Sequence, residues 1–179
     1  MNGCALADGF DPANAKETLN RWIAHETARA MQEVTEAIQA YRFNDAANSM
    51  YRFVWNIFCD WYLELAKPVL MGPDSPAKAE TQASIAWARD EILKLLHPFM
   101  PFLTEELWAV TAERNGLLAL AEWPLKAPGD PIIEPAISGD PLAMPVVVVP
   151  APEAAQFSDP AAESEIGWLT ELISAIRSM

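Results

Sequence analysis

The stretch from Asn44 to Lys67 constrains the fold of this chain more than any other feature of the sequence. Its apolar side chains recur every three or four residues, which places them on one face of an α-helix. A second apolar row lies beside the first and widens the apolar surface beyond what one buried side requires. The first row is Ala47, Met50, Val54, Ile57, Phe58, Trp61 and Leu65, and the second is Tyr51, Trp55, Phe58 and Tyr62. At about 1.5 Å per residue the helix would span about 35 Å. We therefore predict the central helix of a bundle.

The ends of this helix are marked by residues that favour helix boundaries. The side chain of Asn44 can accept a free N–H group of the first turn, so it is the predicted N-cap. Pro68 lacks an N–H group and disfavours helical geometry at Lys67, so the helix should end or kink there. A helical pattern from Ala15 to Ala40 precedes it. The connection of three residues, 41–43, predicts that the two helices are antiparallel neighbours.

Two further helices are predicted before residue 124. Ser75 and Pro76 form a start signal for a third helix that reaches Leu96. Its predicted buried residues are Ile85, Ala88, Ile92 and Leu95. A short fourth helix should be capped by Thr104 and stop near Gly116. Its predicted inward residues are Leu107, Trp108 and Val110.

The chain after residue 116 changes character. Residues 117–124 are extended and apolar, which predicts a strap laid over the bundle. Residues 124–160 hold 9 of the 15 prolines, so only Val146–Val149 could pair as a strand. Asp159 and Pro160 then start a last helix. The predicted fold is all-α: a bundle of four main helices in a domain over 1–123, a Pro-rich irregular linker over 124–160, and the start of a further C-terminal helix over 161–179.

Composition narrows the possible functions. The chain carries 12 basic and 25 acidic residues, a net charge of −13, whereas proteins that bind nucleic acid through phosphates usually present a basic patch. Two cysteines and two histidines provide neither a disulfide framework nor a spaced metal-ligand set. The N-terminus lacks the features of a signal peptide, and no window has the ~18 apolar residues of a membrane span. We expect a cytoplasmic setting, no metal and no membrane.

No catalytic constellation is evident in the sequence. There is no glycine-rich phosphate loop, no His–Glu pair at metal spacing and no nucleophile with an obvious base. Glu105 and Glu106 fit the start of a helix, where the dipole favours negative charge. His97 is interpreted as a packed histidine and Cys59 as a small apolar residue. The chain by itself is predicted to carry no catalytic site.

The better candidates are binding residues on the predicted central helix. Arg52, Asn56, Asp60 and Glu64 recur every four residues, which indicates one polar stripe. The stripe is either a solvated helix face or a surface that holds an RNA loop, because unpaired bases are read by aromatic stacking and side-chain hydrogen bonds. Tyr41, Arg42, Phe43 and Arg52 should lie near one end of the bundle, although each aromatic residue could instead belong to the core.

Two motifs carry a resemblance to a known family. The run YRFNDAANSMYRFVWNIFCDWYLELAKP over Tyr41–Pro68 closely resembles the central helix of the anticodon-binding domain of bacterial valyl-tRNA synthetases. The run LLHPFMPFLTEELW over Leu95–Trp108 is similar to a motif that this family shares with the isoleucine and leucine enzymes. The similarity covers Leu19 to Pro124, with the first motif the more specific of the two.

The resemblance implies a piece of a larger class I ligase. The family activates valine with ATP and transfers it to valine tRNA. Its catalytic and editing domains are not in this sequence, so we expect a fragment without a cofactor of its own. The implied partners are the anticodon stem-loop of valine tRNA and the catalytic domain of the same chain.

The resemblance also suggests individual binding residues. Arg42, Arg52 and Asn56 fall in the part of the motif that lies near the anticodon, and Tyr41 and Phe43 are possible stacking partners. Two alternatives stay open: the equivalent domain of an isoleucyl-tRNA synthetase, and a free-standing helical module that docks partner helices through its wide apolar surface.

Overall fold

The computed structural model of this chain describes residues 4, 9–114, 116–124, 132–134, 146–148 and 158–178. These residues form an all-α fold, as predicted, with five helices in the described part of the chain. They are α1 (Thr18–Gln39), α2 (43–71), α3 (Pro76–Leu96), α4 (Pro101–Thr111) and α5 (Pro160–Arg177). Two short strands, β1 (Ile132–Glu134) and β2 (Val146–Val148), pair antiparallel with Ile132 opposite Val148. The predicted strand at 146–149 is thus confirmed over three residues, but the prediction that no other part of 124–160 could pair was wrong, because Ile132–Glu134 is its partner. The rest of 125–157 lies outside the described residues.

Helix α2 is continuous but changes its hydrogen-bond pattern along its length. An α-helical segment, Phe43–Tyr51, runs into a π-helical segment, Arg52–Tyr62, and then into a second α-helical segment, Leu63–Met71. Both junctions keep right-handed helical backbone angles. The N–H group of Leu63 donates to the carbonyl of Phe58, five residues earlier. Such segments are rare and are frequently found at functional sites.

The predicted ends of α2 were both wrong by a few residues. The helix begins at Phe43 after Arg42, which makes no side-chain cap, so Asn44 lies inside the first turn. At the other end Pro68 is inside the helix, which continues to Met71. A proline removes one N–H group but has a helical φ angle, and the exposed position of Pro68 leaves the last turn intact.

Helices α1 and α2 pack side by side in opposite directions, as predicted. The Ser49 hydroxyl donates to Glu33 over 2.8 Å, and the Tyr62 hydroxyl donates to Asn20 over 3.0 Å. The later residue of α2 thus contacts the earlier residue of α1, so the two helices are antiparallel. The core between them and α3 is mainly apolar. Its fully buried members include Ile23, Val34, Phe53, Tyr62, Ala88 and Leu95.

A buried polar junction joins the first three helices. The side chain of Asn20 on α1 accepts a hydrogen bond from Tyr62 and donates to the Thr81 hydroxyl over 3.1 Å. The same amide donates to Glu80 Oε1 over 3.0 Å. Glu80 also accepts from the backbone N–H groups of Lys16 and Glu17, and so caps the start of α1 from a neighbouring helix. Every polar atom of Asn20 is used, which favours one relative placement of the three helices.

Helix α3 follows its prediction at both ends. Ser75 caps it by accepting the N–H group of Lys78, Pro76 occupies the first position, and the helix ends at Leu96. The four residues predicted to be buried are all buried: Ile85, Ala88, Ile92 and Leu95.

Helix α4 differs from its prediction in three respects. It begins at Pro101, so Thr104 is not the cap; its hydroxyl donates back to the carbonyl of Met100 over 2.9 Å. It ends at Thr111 rather than near Gly116. Leu107 and Val110, predicted to face inward, are exposed. The proline at the first helical position sets the start of the helix four residues earlier than a cap at Thr104 would.

His97 packs as predicted at the junction of α3 and α4. Its Nδ1 atom lies 2.8 Å from the Thr104 hydroxyl. The same hydroxyl lies 2.9 Å from the carbonyl oxygen of Met100, so His97, Thr104 and Met100 form one hydrogen-bonded group.

The predicted strap after α4 packs on the bundle, but it is not extended throughout, because Leu118–Leu120 forms a short 3-10 helix. Glu105 accepts the N–H groups of Leu118 and Ala119 over 2.7 and 3.2 Å, and Leu118 is buried. Further on, the Trp123 indole donates to the Thr35 hydroxyl over 2.8 Å, so the segment crosses from α4 to α1. The role of Glu105 is therefore structural: it holds the strap.

Helix α5 packs on α1. Asp159 caps it by accepting the N–H group of Ala162, and Ala162 and Ile166 are buried in the common core. The large apolar residues of α5 that are exposed are Trp168, Leu172 and Ile176. The domain division at residue 160 stays a prediction. None of the helices in the described residues is long and apolar enough to cross a membrane.

Candidate nucleic-acid interface

The turn between α1 and α2 presents three of the five predicted binding residues. The N–H group of Arg42 donates to the carbonyl of Ala37 over 2.8 Å, and the N–H group of Tyr41 donates to Ile38 over 3.0 Å. This pair of bonds is typical of a helix C-terminus at which the residue after the C-cap adopts a left-handed backbone conformation. That residue is Tyr41, whose φ angle is 57°. Glycine usually fills that position, and a side chain there costs about 1–2 kcal/mol. The protein therefore holds a tyrosine where its backbone is strained.

The two aromatic residues of this turn lie on the surface. Tyr41 is 82% exposed and Phe43 is 53% exposed. Their rings meet edge to face, with centroids 6.4 Å apart and an interplanar angle of 82°. That arrangement is favourable for aromatic pairs and leaves ring faces open. Of the two interpretations of these aromatics, core or surface, the structure supports surface.

The two predicted arginines are already paired with carboxylates. Arg42 Nη1 lies 2.9 Å from Asp45 Oδ2, and both side chains are more than half exposed. Arg52 pairs with Glu33 of α1, and the same carboxylate accepts from Ser49. Neither guanidinium therefore presents an uncompensated positive charge.

The polar stripe of α2 is solvent exposed along its length. Arg52, Asn56, Asp60 and Glu64 are all exposed. Arg52 lies nine residues after Phe43, about 13 Å along the helix axis at α-helical rise. The structure thus brings Tyr41, Arg42 and Phe43 together at the turn and places Arg52 and Asn56 further along the same helix, as a second group.

Two exposed aromatic residues were assigned to the core by the sequence pattern. Phe58 and Tyr62 of the second apolar row are buried as predicted, but Tyr51 is 65% exposed and Trp55 is 56% exposed. They border an apolar groove of about 330 Å³ whose other walls include Met50, Val54 and Phe99. The prediction was wrong for these two because no described helix covers that side of α2. In the sequence, only the four-residue spacing of Tyr51 and Trp55 indicates that they share one face of the helix.

The described residues contain no arrangement that suggests catalysis at this surface. Burial raises the pKa of the Cys59 thiol, with the nearby Asp60 charge adding to the effect, so this cysteine is less nucleophilic than a free one. Elsewhere, His25, Glu26 and Glu163 place three potential metal-ligand atoms within 4.8 Å of one another. That cluster lies at the α1–α5 contact.

The chain is similar to proteins of a known family over nearly all of its length. The family model described as the anticodon-binding domain of tRNA ligase matches residues 20–179. The valine–tRNA ligase of Bradyrhizobium diazoefficiens is 66% identical over 186 aligned residues, which cover 100% of this chain and 19% of that protein. The enzyme of Rhodopseudomonas palustris is 62% identical with 19% of its length covered. That of Caulobacter vibrioides is 48% identical with 17% covered. The chain thus spans about a fifth of the length of these curated relatives.

Proposed function

Because the chain belongs to the anticodon-binding domain family of tRNA ligases, we propose that it is the part of a valine–tRNA ligase that holds the anticodon stem-loop of valine tRNA. The observation that carries this proposal is the 66% identity to a valine–tRNA ligase over the whole chain. The complete enzyme would join valine to its tRNA with ATP. This chain would supply recognition, without a cofactor, and the rest of the ligase would be its partner in the cytoplasm.

The exposed aromatic pair supports RNA binding by stacking. Anticodon bases are unpaired, and proteins read such bases by stacking them on aromatic rings and by hydrogen bonds to their edges. Tyr41 and Phe43 offer open ring surface on a turn fixed by two backbone hydrogen bonds. Each stacked base contributes about 1–3 kcal/mol of binding free energy in comparable proteins. Strain at Tyr41 is consistent with a residue retained for binding rather than for stability.

The arginines would act by exchanging partners. A phosphate that reaches Arg42 or Arg52 replaces Asp45 or Glu33 as the acceptor, so the net gain per contact is small. Two such contacts would release about two counterions from the tRNA, so the affinity for tRNA should fall only slowly as the salt concentration rises. Together with the net charge of −13, this predicts that the isolated chain binds tRNA weakly and that affinity depends on the rest of the ligase.

The alternatives weighed from the sequence receive less support. An isoleucine-specific relative would share the motif at 95–108, but the similar proteins described above are valine enzymes. A free-standing module that docks helices would use the exposed apolar side chains of α4 and α5, and family membership favours a domain of a larger chain.

The test is kinetic and uses the complete ligase that carries this domain. Replacing Arg52 and Asn56 with alanine should raise the KM for valine tRNA, by about fivefold for a loss near 1 kcal/mol. Valine-dependent ATP–pyrophosphate exchange should not change, because it takes place without tRNA. Asp60→Ala, on the same exposed stripe, is the matched control. An unchanged KM in the double variant would remove both residues from the interface.

A second pair of variants tests the aromatic turn. Tyr41→Ala and Phe43→Ala should each raise the KM for tRNA by roughly tenfold if each ring stacks on a base. Tyr51→Ala, an exposed aromatic residue two turns along α2, separates stacking at the turn from a general loss of aromatic surface. Equal effects of all three would contradict a site confined to the turn.

A further inference from the structure

The contact between α1 and α5 contains a buried acid whose charge is poorly compensated. Glu26 on α1 is 7% exposed. Its ion-pair partner, Arg29 Nη1, lies 3.8 Å from Oε1, beyond hydrogen-bonding distance. An oxygen of Glu163 on α5 and a nitrogen of His25 lie within 4.8 Å of the Glu26 carboxylate. Two carboxylates from different helices therefore approach each other around one imidazole.

Arg29 is shared among too many acids to neutralise them all. It lies 3.7 Å from Glu163 and 3.3 Å from Glu33, in addition to Glu26. The other ion pairs at this contact are Arg21 with Asp159 and Arg52 with Glu33. The cations are Arg21, Arg29 and Arg52, and the anions are Glu26, Glu33, Asp159 and Glu163. With a neutral imidazole the contact carries one negative charge in excess, which one proton would balance.

A metal ion is a poor alternative to that proton. His25 Nδ1 lies 3.4 Å from the backbone N–H group of Asp159 and accepts from it, so the neutral ring carries its proton on Nε2, toward Glu163. A metal at Nε2 would require the proton to move to Nδ1, where it would face the Asp159 N–H group. The guanidinium of Arg29 at 3.7–3.8 Å would also repel a cation.

We propose that packing of α5 on α1 takes up one proton at Glu26, so that α5 is held more tightly as the pH falls. The geometry gives the reason: α5 brings Glu163 over a carboxylate that has little access to water. A protonated Glu26 removes the repulsion between the two acids and releases Arg29 to Glu163 and Glu33.

The direction of the pH effect follows from the two states of Glu26. Burial is the main cause that raises its pKa; the nearby Glu163 charge adds to this, while Arg29, His25 and Arg52 oppose it. When α5 leaves, the charge of Glu163 leaves with it, so the pKa of Glu26 falls. Between the two pKa values the packed state binds more protons, and packing is favoured by up to about tenfold per pH unit as the pH falls.

The experiment is hydrogen exchange of the α5 backbone in the complete chain, corrected for the intrinsic pH dependence of exchange, from about pH 8 to about pH 5. This range stays above the usual carboxyl pKa values. The proposal predicts that protection of 160–177 rises as the pH falls. Glu26→Gln, which mimics the protonated acid, should show high protection at every pH.

Three comparisons decide the result. Glu36→Gln, an exposed acid on α1, should keep the wild-type pH dependence, and so should His25→Gln. Loss of the pH dependence in His25→Gln would place the proton on the imidazole and overturn the proposal. Wild-type pH dependence in Glu26→Gln, or wild-type protection that falls with falling pH, would also overturn it. A carbon NMR titration of the Glu26 carboxyl tests the proposal independently. The pKa of Glu26 should be lower in the Ala162→Gln variant, in which α5 is displaced, than in the wild type.

Discussion

The junction around Asn20 gives the sharpest prediction about stability. Asn20 is 1% exposed and Tyr62 has no exposed surface. Asn20→Ala leaves the Tyr62 hydroxyl without its acceptor, and burial raises the pKa of Tyr62, so that group remains a protonated donor at any working pH. An unpaired buried donor costs about 1–3 kcal/mol, and the lost bonds to Thr81 and Glu80 add to that. We expect a loss of about 3 kcal/mol in the free energy of unfolding.

The second substitution makes the prediction specific to the hydrogen bond. Tyr62→Phe in the wild-type background leaves Asn20 Oδ1 without its donor and should cost about 1–2 kcal/mol. In the Asn20→Ala background the same change removes a hydroxyl that has lost its Asn20 acceptor and has only the Ser84 side chain as a hydrogen-bonding neighbour. It should then cost nothing or stabilise the protein. The expected coupling between the two sites is therefore about 1–2 kcal/mol.

The assay is urea unfolding followed by helical circular dichroism, with the thermal midpoint as a second readout. A loss of 3 kcal/mol should lower the midpoint by about 6–12 °C in a chain of this size. Asn48→Ala and Tyr51→Phe, at exposed positions of α2, are matched controls and should change stability by less than about 0.5 kcal/mol. Additive effects of Asn20→Ala and Tyr62→Phe would refute the argument.

Three further predictions concern single contacts. Glu80→Gln should lower the free energy of unfolding by about 1 kcal/mol at pH 7. Partial burial alone would raise the pKa of Glu80, but hydrogen bonds from Asn20 and two backbone N–H groups lower it below the ordinary value of 4.5. The stabilisation is therefore present above pH 4.5 and is lost as the pH falls through the lowered pKa. Urea titrations at neutral pH and well below 4.5 should show the difference only at neutral pH. Tyr41→Gly removes about 1–2 kcal/mol of left-handed strain. The greater backbone freedom of glycine in the unfolded chain and the lost ring contact with Phe43 offset part of that gain, so we expect a net stabilisation of about 0.5–1 kcal/mol in the same assay; a loss would contradict that. Arg114→Lys should lower the free energy of unfolding by about 1–2 kcal/mol, because lysine cannot reproduce the two 2.8 Å hydrogen bonds to buried Asp90 or the stacking on Trp108. An unchanged thermal midpoint would contradict this prediction.

Local signals in the sequence predicted the elements whose ends are decided locally. The Ser75–Pro76 start of α3 and the Asp159–Pro160 start of α5 were both correct, because a capping side chain and a proline act within one turn. The start of α4 was wrong because two local signals competed, and the proline at 101 prevailed over Thr104. Periodicity gave the buried face of α3 correctly.

Features that depend on several helices could not be read from the sequence. The Asn20 junction joins three elements, and Arg114 reaches an aspartate 24 residues away. Nothing in the local pattern separates Tyr51 and Trp55, which are exposed, from Phe58 and Tyr62, which are buried, because the difference lies in which side of α2 is covered. The spacing of apolar residues likewise does not indicate the π-helical segment Arg52–Tyr62.

The candidate site was predicted in part. The five residues were chosen from the pattern and from the resemblance, and the structure shows that all five are exposed. It also shows what the sequence could not, namely that both arginines are paired with acids from positions 33 and 45. Their role in tRNA binding stays a prediction.

The measurement that tests the central claim most directly is anticodon discrimination by the complete ligase. The ratio of kcat/KM for valine tRNA to that for the same tRNA with a substituted anticodon would be measured for the wild type and for a Tyr41→Ala, Phe43→Ala, Arg52→Ala variant. We predict that the variant loses most of this ratio while valine activation is unchanged. An undiminished ratio in the variant would place anticodon recognition outside this surface and contradict the account.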